Sequence, residues 1–106
     1  MSLQVFIRPA VWRDLAEQSG HIAEDSPTAA LRLLEAARSA FDLLGGFPEI
    51  GKLRRFSHPK LSGVRSWPIK GFETHVIFYR ASEHRLDILR VIHSARDLTG
   101  IFGHER

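Results

Sequence analysis

Two helical stripes separated by Asp25-Ser26-Pro27 constrain the first half of this chain more than any other feature. Downstream, Ala30, Leu33, Leu34, Ala37, Phe41 and Leu44 recur at helical spacing, and Gly45-Gly46 closes the run. Upstream, Trp12, Leu15, Ala16, Ile22 and Ala23 form a second stripe, with Arg13, Asp14, Glu17 and Glu24 on the other side. Gly20 weakens that helix by about 1 kcal/mol relative to alanine, so packing must hold it. Ser26 is placed to cap the second helix and Pro27 to open it, because its missing N–H lies where no partner exists. A joint this short predicts an antiparallel helical hairpin.

Strand signals flank the hairpin. Leu3 to Arg8 is rich in strand formers, and Pro9 ends it and opens the first helix. After the hairpin come a turn, Phe47-Pro48-Glu49-Ile50-Gly51, a basic stretch, Lys52-Leu53-Arg54-Arg55, and a loop at His58-Pro59. Residues 63–69, 73–81 and 85–93 then read as three strands. Their connections, Lys70-Gly71 and Ser82-Glu83-His84, are short enough to predict an antiparallel meander. Pro68 has no ladder donor and marks a strand end or edge. Residues 97–102 suit one turn of helix. The order β-α-α-β-β-β predicts one α+β domain over residues 1–106, a helical hairpin packed on an antiparallel sheet with a short C-terminal element. On simple alternation, Leu86, Ile88 and Ile92 share one face of the last strand while Leu89 and Val91 share the other. One hairpin covers one face. The second is either covered by the tail or left for a partner, and the surplus apolar area favours the partner.

Composition removes whole classes of function. The absence of cysteine excludes a disulfide scaffold, a thiolate zinc site and thiol catalysis together. No apolar run approaches the roughly 18 residues of a membrane span, and the N-terminus lacks signal-peptide regions, so a cytoplasmic protein is expected. Residues 1–50 carry four arginines against seven acids, a net −3, whereas residues 51–106 carry eleven basic residues against five acids, a net +6. A basic half suits a polyanion or an acidic protein partner, although arginines on strands also serve as solvated edge groups.

No phosphate loop, dinucleotide fingerprint or paired-histidine spacing occurs, so neither a cofactor nor a metal is expected. Ser94, His93 and Asp97 are close in sequence, but a triad needs a nucleophile aimed by tertiary geometry. The segment Arg90 to Leu98 ends a strand in a polar cluster. There His93 and Arg96 are placed to meet a phosphate or carboxylate, or Asp97 pins Arg96 and fixes the tail.

Taken in order, Arg8-Pro9-Ala10, His21 to Pro27, Phe47 to Gly51, Gly63-Val64-Arg65, Gly71 to Arg80 and Arg90 to Leu98 follow one pattern across almost the whole chain. In that pattern the chain resembles the toxins of the ParE/RelE toxin–antitoxin superfamily, the ParE branch in particular. The resemblance implies the fold read above. It also implies a plasmid-stabilisation role and a hetero-oligomer with a ParD-like or other antitoxin. ParE-like toxins poison DNA gyrase, whereas RelE-like relatives cut messenger RNA on the ribosome.

Metal-free RNA cleavage needs a base, cations for the developing phosphorane charge and an acid for the leaving oxygen. Against the RelE-like pattern, Arg65 and Arg96 fall at matching basic positions. Trp67 replaces a lysine, Val76 replaces an arginine, and Phe102 stands at the tail tyrosine. Losing one donor in such a site costs about 10²–10³ in rate, so several losses favour binding over chemistry. The expected function is therefore a toxin that engages gyrase through Arg65, Lys70, Arg90, His93, Arg96 and Phe102. Direct nucleic-acid binding is expected to be weak or only through the target. The alternative is a RelE-like ribosome-dependent endoribonuclease using Arg65, His93 and Arg96. Lys52, Arg54, Arg55, Leu86 and Ile88 are the expected antitoxin contacts.

Overall fold

A computed structural model describes residues 2–94 and 98–105. Along the chain lie β1 (Gln4–Ile7), α1 (Pro9–Ala23), α2 (Pro27–Gly46), β2 (Lys52–Leu53), a 3₁₀ turn (Pro59–Leu61), β3 (Arg65–Ile69), β4 (Phe72–Ala81), β5 (Arg85–His93) and α3 (Leu98–Phe102). The strands form one sheet in the order β1-β5-β4-β3-β2. Ser26 caps α2 as expected, its hydroxyl accepting from the Ala29 N–H at 3.1 Å. Lys52-Leu53 pairs with β3 and adds a strand that composition did not reveal.

The sheet is mixed rather than antiparallel. Short turns force β3, β4 and β5 to alternate, but no turn joins β1 to β5, and the two run parallel with Val5 opposite Leu86. Gly45 does not end α2, which continues to Gly46. Its role is close approach: a Cβ there would lie 2.9 Å from a Val5 methyl, and its carbonyl accepts from the Leu3 N–H at 2.8 Å.

Each sheet face carries its own core. Val11, Leu15, Leu33, Phe41 and Leu44 of the hairpin pack on Ile77, Tyr79, Leu86, Ile88 and Val91. On the opposite face Phe56, Val64 and Phe102 pack on Phe78, Leu89 and Ile92, with Leu98 and Ile101 of α3 alongside. The second face is thus covered by the chain's own loop and tail, which corrects the expectation of a partner there. The alternation also breaks: a register shift between Phe78 and Tyr79 leaves Leu89 as an extra residue in β5. Such a bulge reverses every later side chain, so Val91 joins Leu86 and Ile88 while Ile92 joins Leu89.

Trp12 and Asp14 exchange the places expected of them. Val11, Asp14, Leu15 and Gln18 follow the i, i+3, i+4, i+7 spacing of the face turned to the sheet, so Asp14 is buried. Trp12 lies about 100° around the helix from Val11 and is 50% exposed.

Candidate functional site

A polar seam joins α1 to the end of β5. Strand β1 pairs with β5 only as far as Ile88, so the backbone of Val91 lies beyond its reach. Two side chains one helical turn apart take the strand's place. Asp14 Oδ2 accepts from the Val91 N–H at 3.0 Å, and Gln18 Nε2 donates to the Val91 carbonyl at 2.9 Å. Arg90 grips Asp14 as a fork, Nε to Oδ2 and Nη2 to Oδ1, both at 2.8 Å. That hydrogen bond, more than the accompanying charge, pushes the guanidinium further above its ordinary range.

The seam continues to a histidine pair. Because Gln18 spends its amide N–H on Val91, its Oε1 faces His75 Nδ1 at 2.7 Å and must accept. Neutral His75 therefore carries its proton on Nδ1. Its ring meets that of His93 edge-on at 4.9 Å. Burial first, and then His93, hold the His75 pKa below the ordinary value. Glu17, His21 and Ile22 complete a cavity of about 340 Å³ over the pair.

At the other end of the sheet the turn at residues 47–51 is locked from below. The fully buried Tyr79 hydroxyl accepts from the Gly51 N–H and donates to the Pro48 carbonyl, each at 2.9 Å. Burial outweighs the Gly51 bond and the nearby Arg65, raising the phenol's pKa so that it stays a donor. A Cβ on Gly51 would lie 2.4 Å from that oxygen, which only glycine avoids. Arg65 grips the same turn, donating to the carbonyls of Gly51 at 2.9 Å and Glu49 at 3.3 Å.

A third assembly fastens the tail. The Arg54 guanidinium forks onto the Glu105 carboxylate and lies over the rings of Phe56 and Phe78. Phe102 fits between those rings, with centroids 5.0 and 4.8 Å away. The hydrogen bonds from Arg54 hold the Glu105 carboxyl below its usual range against the opposing effect of burial.

The basic half is less available than its net charge implies. Arg54, Arg65, Arg80, Arg85 and Arg90 are each held by a carboxylate or by backbone carbonyls. Lys52, Arg55, Lys60 and Lys70 are exposed and form no ion pair among the described residues. Of the expected target contacts, Arg90 and His93 share the seam. Lys70 lies in the β3–β4 turn, about 17 Å from Arg65 at a strand's rise per residue. Phe102, the last residue of α3, is buried against Phe56 and Phe78. Arg96 lies outside the described residues. Of the expected antitoxin contacts, Lys52 and Arg55 are open and Arg54 is engaged. Leu86 and Ile88 have no accessible surface and belong to the core beneath the hairpin, which corrects their assignment.

Sequence reasoning missed Asp14, Gln18 and His75, though one signal was legible. Asp14 and Gln18 share the helical spacing of Val11 and Leu15, which marks polar groups aimed at the sheet. The outer hairpin face holds a further groove of about 360 Å³ floored by Trp12, Leu15, Leu34 and Phe41, with Arg38 at its wall. Among the described residues no group of three or more histidines and acids is placed to hold a metal, and no helix is long and apolar enough to cross a membrane.

The fold is shared with solved toxin–antitoxin structures. The chain is similar to one from the chromosomal ParDE system of P. aeruginosa, with a TM-score of 0.69 and 18% identity over 87% of this chain and 96% of that one. It is also similar to one from the RelBE2 toxin–antitoxin complex of Mycobacterium tuberculosis, with a TM-score of 0.53 and 22% identity over 88% and 99% of the two chains. No curated protein matches in sequence. The sequence pattern described as "ParE toxin of type II toxin-antitoxin system, parDE" matches residues 5–98, from the first strand to the start of α3. The chain belongs to the ParE toxin family of type II toxin–antitoxin systems.

Proposed function

We propose that this toxin acts in the cytoplasm by binding DNA gyrase and stabilising the cleaved-DNA intermediate, and that a cognate ParD-like antitoxin neutralises it. The observation that carries the reading is the structural employment of the groups a ribonuclease would need. Arg65 spends donors on the carbonyls of Glu49 and Gly51. Tyr79, whose hydroxyl is a potential acid, is fully buried and bonded on both sides. Phe102 has no proton to give and is packed inward from α3 against Phe56 and Phe78. Binding needs only a stable surface, for which we infer the exposed Lys70 together with the seam that holds Arg90 and His93.

The antitoxin's place is the outer hairpin. Trp12, Leu31 and Leu34 are exposed there, and Arg38 favours an acidic amphipathic helix laid along the groove. Lys52, on β2 at the sheet edge opposite β1, and Arg55, just after it, supply a second, separate basic contact. Neutralising Lys52, Arg54 and Arg55 together should weaken the complex, whereas unchanged affinity would sink that part of the reading.

The deciding assay incubates the purified chain with gyrase, supercoiled DNA and ATP, followed by detergent and protease. Trapped linear DNA that disappears when antitoxin is added supports gyrase poisoning. Its absence favours the second reading, ribosome-dependent RNA cleavage, for which the His75–His93 pair supplies two imidazole rings in contact. Arg96→Ala should weaken toxicity while sparing antitoxin binding.

A further inference from the structure

We propose that the cavity between the loop at residues 57–61 and α3 binds the backbone of single-stranded nucleic acid. This open cavity of about 660 Å³ is lined by Ser57, His58, Lys60, Leu61, Ile101 and His104, and no carboxylate lines it among the described residues. It lies on the tail face and, although the buried Phe102 borders it, includes none of Arg65, Lys70, Arg90 and His93, so it is a different place from those expected target contacts.

The donors are prearranged. His58 Nδ1 accepts from the Lys60 N–H at 3.1 Å, which leaves the neutral ring's own N–H on Nε2. Arg80 donates to the carbonyls of Lys60 and Ser62, so the loop is held and a second cation stands behind it. The Ser57 N–H donates to the His104 carbonyl at 2.7 Å, tying loop to tail across the cavity. Glu105, the nearest acid along the tail, is already engaged by Arg54. Positive and neutral donors thus line one cavity with no competing carboxylate among the described residues, which suits phosphate oxygens. Leu61 and Ile101 give the cavity an apolar wall. An unpaired nucleotide can lay a sugar or base against that wall, whereas a duplex keeps its base faces stacked inside.

Fluorescence anisotropy of a labelled oligothymidylate tests this without gyrase, so its failure and that of the gyrase reading are distinguishable. Lys60→Glu should weaken binding at low salt at least tenfold and flatten the salt dependence by about one unit of slope. Arg13→Glu, an equal charge change on the exposed side of α1, should have little effect. Equal losses in both variants would reduce the binding to net charge and overturn the site. Duplex bound as tightly as single strand, or complete competition by inorganic phosphate at low millimolar levels, would overturn the class of ligand. Melting temperatures of both variants, expected within about 2 °C of the parent, show that exposed substitutions leave the fold intact.

Discussion

Asp14 accepts a hydrogen bond from the Val91 backbone N–H at 3.0 Å and so stands, from a helix, where a continuation of β1 would have paired. The arrangement exists because β1 ends at Ile7, and the chain must satisfy the rest of the β5 edge some other way. An acid that also neutralises Arg90 meets both needs with one side chain.

Asp14→Ala should be among the most destabilising single substitutions. It leaves Arg90 without its carboxylate and the Val91 N–H without an acceptor, in a setting where breaking a buried pair costs about 3–5 kcal/mol. Arg90 retains some solvent contact, so about 3 kcal/mol in urea unfolding is expected, and Asp14→Asn should recover part of it.

Gly51→Ala should loosen the turn at residues 47–51 because its Cβ meets the Tyr79 hydroxyl. Overpacking of this kind costs about 1–3 kcal/mol. Tyr79→Phe should cost a similar amount by another route, leaving the Gly51 N–H and the Pro48 carbonyl without their partner. If the phenol matters only through the turn, the double variant will cost less than the sum of the two, a coupling that thermal unfolding of all four proteins would measure.

Stability should fall on mild acidification through His75. Its folded pKa lies below that of the unfolded chain, so the folded state prefers the neutral ring. The contribution is present in full above about 6.5, the ordinary histidine value, and is lost as the pH falls from there through the lower folded value. Around it stand His93, Gln18, Glu17 and His21, of which Gln18 accepts the ring proton. Urea midpoints from pH 8 to pH 5 should decline, and the decline should be shallower in His75→Gln. Imidazole proton shifts followed by NMR would place the titration on His75.

Phe102→Ala should release the tail before it unfolds the domain. A buried phenylalanine-to-alanine change costs about 3–5 kcal/mol in a closed core. Here α3 is terminal and able to detach, so the global loss should be smaller than that. Amide exchange at Ser57, whose N–H bonds to His104, should rise well before exchange in β4. Arg54→Ala should act in the same direction, by about 1–2 kcal/mol, through loss of the Glu105 fork and of the cation over two aromatic rings.

What the residues determine locally is legible in the chain alone. Ser26 and Pro27 start α2 because a cap and a fixed φ act within one turn, and residues 85–93 form β5 because their pattern suits an extended chain. The family is legible too, since its motifs follow in order along the chain. Long-range choices depend on what meets what in space. The bulge at Leu89 reassigned Val91 and Ile92 between faces, and no local signal marks it because it arises from pairing with β4. Burial of Asp14 depended on where β1 stopped, and the covering of the second face depended on the tail finding Phe56 and Phe78. Charge shows the same division: the sequence determined that the second half is basic, whereas the tertiary structure decided which cations remain free, because pairing is a matter of distance.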